Sequence, residues 1–363
     1  MTAYPVASID LAALGHNLAR IKQLAPNSQV ISVIKANAYG HGYLEIAKAL
    51  TESDAFAVAR LAEGIQLRQA GIKHNIVLLE GVTTAEELQM AADYDLSLVF
   101  HHQSQVELLE HTKLVKPLSF CWLMIETGMH RLGFSVNDAD EVLATLETSE
   151  AIAETVGLMS HFANADLIDD PRNQQQMTAI LAVTDDDHII SMANSAAILS
   201  FPASHQQWLR PGLMLYGVSP FDHITAADLG LKPVMQLKSV LTAIQSLQAG
   251  DQVGYGGDWT ATEDTLIGTV SIGYGDGYSR QLSNVGQVSI NGKLVRVLGR
   301  VSMDMICIDL QDCLNAKIGD EVMLWGDEQL SVEQVAKQAN TIPYELMCQI
   351  SERVTREYHH GQG

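Results

Sequence analysis

Positive charge is scarce in this chain. Its 363 residues carry 22 Lys and Arg against 43 Asp and Glu, for a net charge of −21. A field of that sign repels phosphate backbones and anionic lipid, so it argues against nucleic-acid binding and against a membrane-surface role. Cysteine is sparse too. Cys121, Cys307, Cys313 and Cys348 include no CxxC pair and lie in apolar segments or turns, which fits reduced thiols in a cytoplasmic protein. No apolar run approaches the length that spans a bilayer. The opening Met1–Asp10 lacks the basic and apolar regions of a secretory signal. The 13 histidines show no zinc-type spacing, so no metal is expected. Gly273-x-Gly-x-Gly277 lacks the dinucleotide spacing and a following helix, and neither a Walker sequence nor a nucleophile elbow occurs.

Apolar residues, by contrast, make up 47%, enough for a substantial core, and the length suits one large and one small domain. From residue 10 to about 217, short apolar runs alternate with amphipathic stretches. Asp10 is placed to cap a helix with an apolar stripe of Leu11, Leu14, Leu18 and Ile21. The runs are Val30–Ile34, Ala55–Ala59, Ile76–Leu79, Leu96–Phe100, Leu118–Ile125, Val156–Met159, Ile189–Met192 and Leu213–Tyr216. Continuous apolar strands separated by helices imply a parallel sheet covered on both faces. Eight of them predict a closed (β/α)8 barrel of the TIM type over residues 1–230. After that the texture changes. Val288–Leu298 reads as a hairpin turning at Asn291-Gly292, and glycine-rich turns surround it. Residues 231–363 are expected to form an all-β domain.

A barrel does its chemistry at the carboxyl ends of its strands, and polar residues collect there. Lys35 ends the first strand in Val33-Ile-Lys-Ala-Asn-Ala-Tyr-Gly-His-Gly42. A lysine partly removed from water loses its proton more easily and becomes a nucleophile. Arg131 follows strand five, His161 ends strand six, and Asn194 and Ser195 end strand seven. Arg210 and Gly212 fall at the entry of the eighth strand, the one placement out of step with the rest. Barrel phosphate sites often use the loops after strands seven and eight, where Ser195 at a helix start and the backbone around Gly212 supply donors. A lysine nucleophile beside a phosphate cradle, without metal spacing, points to pyridoxal 5'-phosphate held as a Schiff base.

Taken together, Val33–Gly42, Thr127-Gly-Met-His-Arg-Leu-Gly133, Ser271-Ile-Gly-Tyr-Gly-Asp-Gly277, Gly299-Arg-Val-Ser-Met-Asp304 and Thr341-Ile-Pro-Tyr344 resemble the alanine racemase blocks in order, over nearly the whole chain. The resemblance implies an isomerase that interconverts L- and D-alanine and supplies D-alanine for peptidoglycan. It makes Lys35 both the cofactor's anchor and the base on one face of Cα. Tyr274 becomes the acid/base on the other face, supplied across a homodimer. A proton must leave one side and return on the other, which takes two groups. A phenol is a weak base at neutral pH unless cations lie beside it; His161 and Arg131 are the candidates. The resemblance assigns Tyr39, Ser195, Gly212 and Tyr344 to the phosphate. It sets Arg210 against the pyridine nitrogen and adds His161, Asn194 and Leu213 to the cofactor site. Arg131 and the N–H of Met303 fall to the substrate carboxylate.

Alternatives are a racemase of wider amino-acid scope and a non-catalytic pyridoxal-phosphate carrier. A decarboxylase is disfavoured by Arg210, because related decarboxylases are expected to place a carboxylate there. One position departs from the family pattern. Many relatives carry a carbamylated lysine that steadies the arginine, whereas here the residue is Met124. Arg131 is then balanced by Glu126, by a bound chloride, or by nothing.

Overall fold

The computed structural model describes residues 4–184 and 188–361. Eight parallel strands close into a barrel: β1 (Gln29–Val33), β2 (Ala55–Val58), β3 (Asn75–Leu78), β4 (Ser97–Phe100), β5 (Cys121–Glu126), β6 (Val156–Met159), β7 (Ile190–Ser191) and β8 (Trp208–Leu209). Closure is made by β8, whose Trp208 and Leu209 align with Gln29 and Val30 of β1. Trp208 also aligns with Ser191 of β7. The strands are apolar throughout because both faces are covered. Ile31, Phe56, Phe100 and Trp122 are all buried to within 2% of full enclosure. The helix Leu11–Leu24 starts where expected. Asp10 accepts hydrogen bonds from Ala12 N and Ala13 N, and Leu14, Leu18 and Ile21 face the core.

Seven strands lie where the apolar runs predict them, and the eighth does not. Leu213–Tyr216 is a 3-10 turn rather than a strand. Its four side chains are all buried, so the apolar run reported burial and not backbone conformation. The turn cannot extend, because Gly217 follows at φ +73 and a Cβ there would lie 1.7 Å from Lys232 O. The true β8 is only two residues long, too short to show as a pattern. With β8 moved upstream, Arg210 and Gly212 follow it and stand at the carboxyl end with the other polar residues.

The strand Val6–Asp10 does not enter the barrel. It pairs antiparallel with Met235–Leu247 and parallel with Thr355–His359, so the chain start sits in the second sheet. That sheet has eight strands, with Met235–Leu247 bonded to three of the others. Two short helices, Val332–Gln338 and Pro343–Cys348, accompany it. The hairpin Gln287–Ile290 with Lys293–Leu298 turns at Asn291 (φ 51) and Gly292 (φ 76), the positive pair of a type I′ turn. Among the described residues no helix is long and apolar enough to cross a membrane.

Candidate active site

Lys35 stands at the carboxyl end of β1, and the backbone behind it is unusual. Ala36, Asn37, Ala38 and Tyr39 all have φ between 51 and 55, one turn of left-handed helix built from non-glycine residues. Such a conformation costs ~1–2 kcal/mol per residue and persists only where surroundings impose it. The surroundings are visible. Asn37 Oδ1 accepts from Tyr43 N at 3.1 Å, Arg356 Nε donates to Gly40 O at 2.7 Å, and Tyr358 OH donates to His41 O at 3.0 Å. Gly40 packs so closely against the helix Pro343–Cys348 that a Cβ would lie 2.0 Å from Met347 O. The last strand of the β domain thus helps to hold the turn that follows Lys35.

Burial lowers the Lys35 pKa, and the nearby Arg131 guanidinium lowers it further. The carboxylates Glu80 and Glu63 oppose this, as does Cys348. The result is an amine that gives up its proton more readily than an exposed lysine.

Tyr39, one left-handed turn after Lys35, faces the loops after β7 and β8. Ser195 opens the helix Ser195–Ser200, and Asn194 spends its side chain capping that helix through Ala197 N. The Ser195 hydroxyl accepts from Gly212 N at 3.0 Å and Met214 N at 3.2 Å. A Cβ on Gly212 would lie 2.4 Å from the Tyr39 hydroxyl. Ser195, Gly212 and Tyr39 therefore meet at one point, with Leu213 buried beneath. The Tyr344 ring lies 5.7 Å from that of Tyr39, and Tyr216 lies 4.9 Å away on another side. Burial pushes Tyr344 up to about 12 and Tyr39 well above its usual value, so both remain neutral hydroxyl donors. A hydroxyl and backbone cradle that only glycine fits, one turn from a deprotonation-prone lysine, suits the phosphate and aldehyde of pyridoxal phosphate.

Arg210 follows β8 and is 5% exposed. Nη1 donates to Ser191 Oγ at 2.6 Å, and Nη2 reaches Ser160 O, Met192 O and His161 Nδ1. All four acceptors are neutral. A guanidinium buried without a carboxylate is costly to keep charged, and burial pushes its pKa down to about 9.

His161 corrects one expectation. Burial first, then Arg210, Arg131 and Lys35, push its pKa down to about 3. The ring is neutral at pH 7 and supplies no positive charge, so of the two candidate cations only Arg131 remains.

Arg131 lies on the loop after β5, bent by Gly128 (φ +137), His130 (φ +53) and Gly133 (φ +124). Glu126 does not reach its guanidinium. That carboxylate accepts instead from Gly128 N and from Arg131's own backbone N, and His130 lies 3.8 Å away. Among the described residues, no carboxylate forms an ion pair with the Arg131 side chain. Met124 on β5 is half-buried.

Tyr274 and Met303 sit together on the β domain, apart from these groups. Tyr274 N donates to Ser302 O and Gly275 N to Met303 O, at 3.0 and 2.8 Å. Gly273 allows the approach, since a Cβ there would lie 2.3 Å from Met303 O. Tyr274 is 45% exposed and Met303 53% exposed. Tyr274 is not among the groups that shift Lys35 within one chain.

Comparison with known proteins follows the same division of the chain. Residues 9–220 match the family profile "Alanine racemase, N-terminal domain", and residues 234–358 match "Alanine racemase, C-terminal domain". The chain belongs to the alanine racemase family. It is 48% identical over 353 residues to the alanine racemase of Nitrosococcus oceani, covering 97% of this chain and 99% of that protein. Against the alanine racemase of Aeromonas hydrophila identity is 44% over 356 residues, covering 97% and 99%. The crystal structure of biosynthetic alanine racemase from Pseudomonas aeruginosa superposes with a TM-score of 0.94 at 43% identity, over 99% of this chain and 100% of that one. Alanine racemase from Acinetobacter baumannii gives 0.90 at 42%, again over 99% and 100%. Membership of the alanine racemases makes the protein an isomerase.

Several polar residues around this alanine racemase site escape a reading by strand ends. Gln176 is 2% exposed on the helix Pro171–Leu181. Its amide donates to Thr127 Oγ1 and to His161 O, and it accepts from Ala163 N. It joins the loop that carries Arg131 to the end of β6. Ser160 bonds Thr127 Oγ1 at 2.7 Å and donates to Ile125 O. The one available signal was a glutamine falling on the apolar stripe of its helix.

Proposed function

We propose that the protein is a pyridoxal-phosphate-dependent racemase of alanine that works as a homodimer and supplies D-alanine for peptidoglycan. The observation that carries this reading is the left-handed turn after Lys35, which sets Lys35 beside the Tyr39–Ser195–Gly212 cradle with Arg210 buried nearby. When bound, pyridoxal phosphate supplies an electron-accepting ring that acidifies the Cα–H bond of an attached amino acid. Lys35 anchors it, then holds or returns the proton on one face of Cα. Tyr274 of the partner subunit serves the other face, in keeping with its exposure and separation from Lys35 in one chain. Tyr39, Ser195, Gly212 and Tyr344 hold the phosphate, and Asn194, Leu213 and His161 shape the pocket around it. Arg131 and the N–H of Met303 orient the substrate carboxylate. Arg210 can only donate, so it would leave a ring nitrogen placed against it unprotonated. That limits electron withdrawal and favours proton return over transamination. Four unpaired cysteines suit a cytoplasmic location.

The deciding experiment incubates purified protein and pyridoxal phosphate with L-alanine, L-serine and L-lysine and quantifies each D-enantiomer. Preferential formation of D-alanine supports the reading. Comparable turnover of all three replaces it with a broad-scope racemase, and no turnover with cofactor retained leaves only a carrier.

A further inference from the structure

We propose that Glu63 is a positioning residue for Lys35, holding the left-handed turn from the barrel side; the inference rests on the cofactor role given to Lys35 above. Glu63 is the third residue of the helix Leu61–Gln69, where a carboxylate ordinarily serves its own helix start. One oxygen does so: Oε2 accepts from Ala59 N at 2.9 Å and Arg60 N at 3.0 Å, just past β2. The other leaves its own β/α unit. Oε1 accepts from Ala36 N at 2.9 Å, the amide next to Lys35 and the first of the left-handed turn. That amide begins a helical turn and so has no partner within it. A single carboxylate therefore ties the ends of two neighbouring strands, and one of those ends carries Lys35.

The next unit shows what the ordinary arrangement looks like. Glu87 holds the same third position in the helix Ala85–Asp93 and accepts only from Thr83 N and Thr83 Oγ1, within its own unit. Helix capping accounts for Glu87 completely and for only half of Glu63. Glu63 also adds negative charge near Lys35, opposing Arg131, and Glu80 acts in the same direction. Replacement by glutamine keeps the size but leaves one acceptor oxygen, which cannot serve Ala36 and the β2 end together.

The test compares apoproteins of wild type, Glu63→Gln and Glu87→Gln. Pyridoxal 5'-phosphate is added, borohydride is added after set times, and the labelled lysine is identified by peptide mapping. Attachment joins Lys35 Nζ to the aldehyde carbon with loss of its oxygen as water; hydride then reduces the carbon–nitrogen double bond to a stable amine. Denaturation midpoints are measured alongside. The expected result is labelling of Lys35 slowed by about tenfold or more in Glu63→Gln, as misplacement of a reacting group entails. Glu87→Gln should label at the wild-type rate even where it loses as much stability. Adding Ala36→Gly to Glu63→Gln should recover most of the rate, because glycine adopts the left-handed conformation without the tie. It should also recover folded protein if Glu63→Gln alone yields none. Wild-type labelling rates in Glu63→Gln, equal slowing in both variants, or no recovery with Ala36→Gly would overturn the positioning role. A wild type that labels at some other lysine would overturn the reading of Lys35 itself.

Discussion

Arg210 Nη2 lies 3.3 Å from His161 Nδ1. A guanidinium can only donate, so the imidazole accepts at Nδ1 and its proton sits on Nε2. Both groups are pushed toward their neutral forms, His161 down to about 3 and Arg210 down to about 9. At neutral pH the pair carries one charge, on the arginine. Among the described residues no carboxylate pairs with it, and its Nη atoms reach Ser191, Ser160, Met192 and His161.

Reaction specificity should follow from that pair. If Arg210 faces the pyridine nitrogen as proposed, Arg210→Glu would let that nitrogen take a proton and draw charge into the ring. Racemisation should slow and pyruvate from transamination should rise relative to D-alanine. The product ratio is read by coupled assay, and an unchanged ratio would refute the role.

Tyr274→Phe should reduce turnover in both directions by roughly 10²-fold, the scale of general acid/base catalysis. Tyr274 is 45% exposed within one chain, so the thermal midpoint should move little. Racemisation at the wild-type rate would end the two-base account.

The Arg131 guanidinium has no ion pair among the described residues, and Met124 cannot carry a carbamate. Activity should therefore ignore added or removed bicarbonate. It should depend on chloride when tested against a bulky anion at equal ionic strength, since a small anion can fill the space that a carbamate would take. Halide-independent kinetics would dismiss the anion, and bicarbonate dependence would mean that Met124 is not the aligned residue.

Gly212→Ala places a Cβ 2.4 Å from the Tyr39 hydroxyl. Cofactor retention on dialysis should fall, and adding Tyr39→Phe should partly restore it by removing the obstructing oxygen. Loss of retention without such recovery would mean that the glycine matters for its backbone alone.

Stability should fall as the medium is acidified. His41 is fully buried, stacked on Tyr216 at 4.5 Å, with its pKa pushed from 6.5 to about 4. The unfolded chain binds that proton more tightly, so stability is intact above 6.5 and falls as pH drops toward 4. At ~1.4 kcal/mol per pKa unit, His41 alone accounts for ~3 kcal/mol, and His161 acts in the same direction. Urea midpoints at pH 7.5, 6, 5 and 4.5 would show it; a flat profile over that range contradicts the burial argument.

Much of this protein was legible as text. Continuous apolar strands spaced by amphipathic helices determine a covered parallel barrel, because only a sheet buried on both faces needs such runs. Asn291-Gly292 determines its hairpin through positive φ, and the polar residues at strand ends mark the mouth. Tertiary structure decided the rest. It moved the eighth strand to Trp208–Leu209, since burial makes a turn as apolar as a strand. It drew the N-terminal strand into the second sheet, a pairing with residues more than 200 positions away that no local pattern encodes. It made His161 neutral, because folding buries the ring and brings Arg210, Arg131 and Lys35 near it. Above all, it imposed the left-handed turn after Lys35. Ala36, Ala38 and Tyr39 disfavour that conformation and Asn37 tolerates it only singly; the contacts that hold it arrive from Glu63, Arg356 and Tyr358, which only the folded chain places beside them.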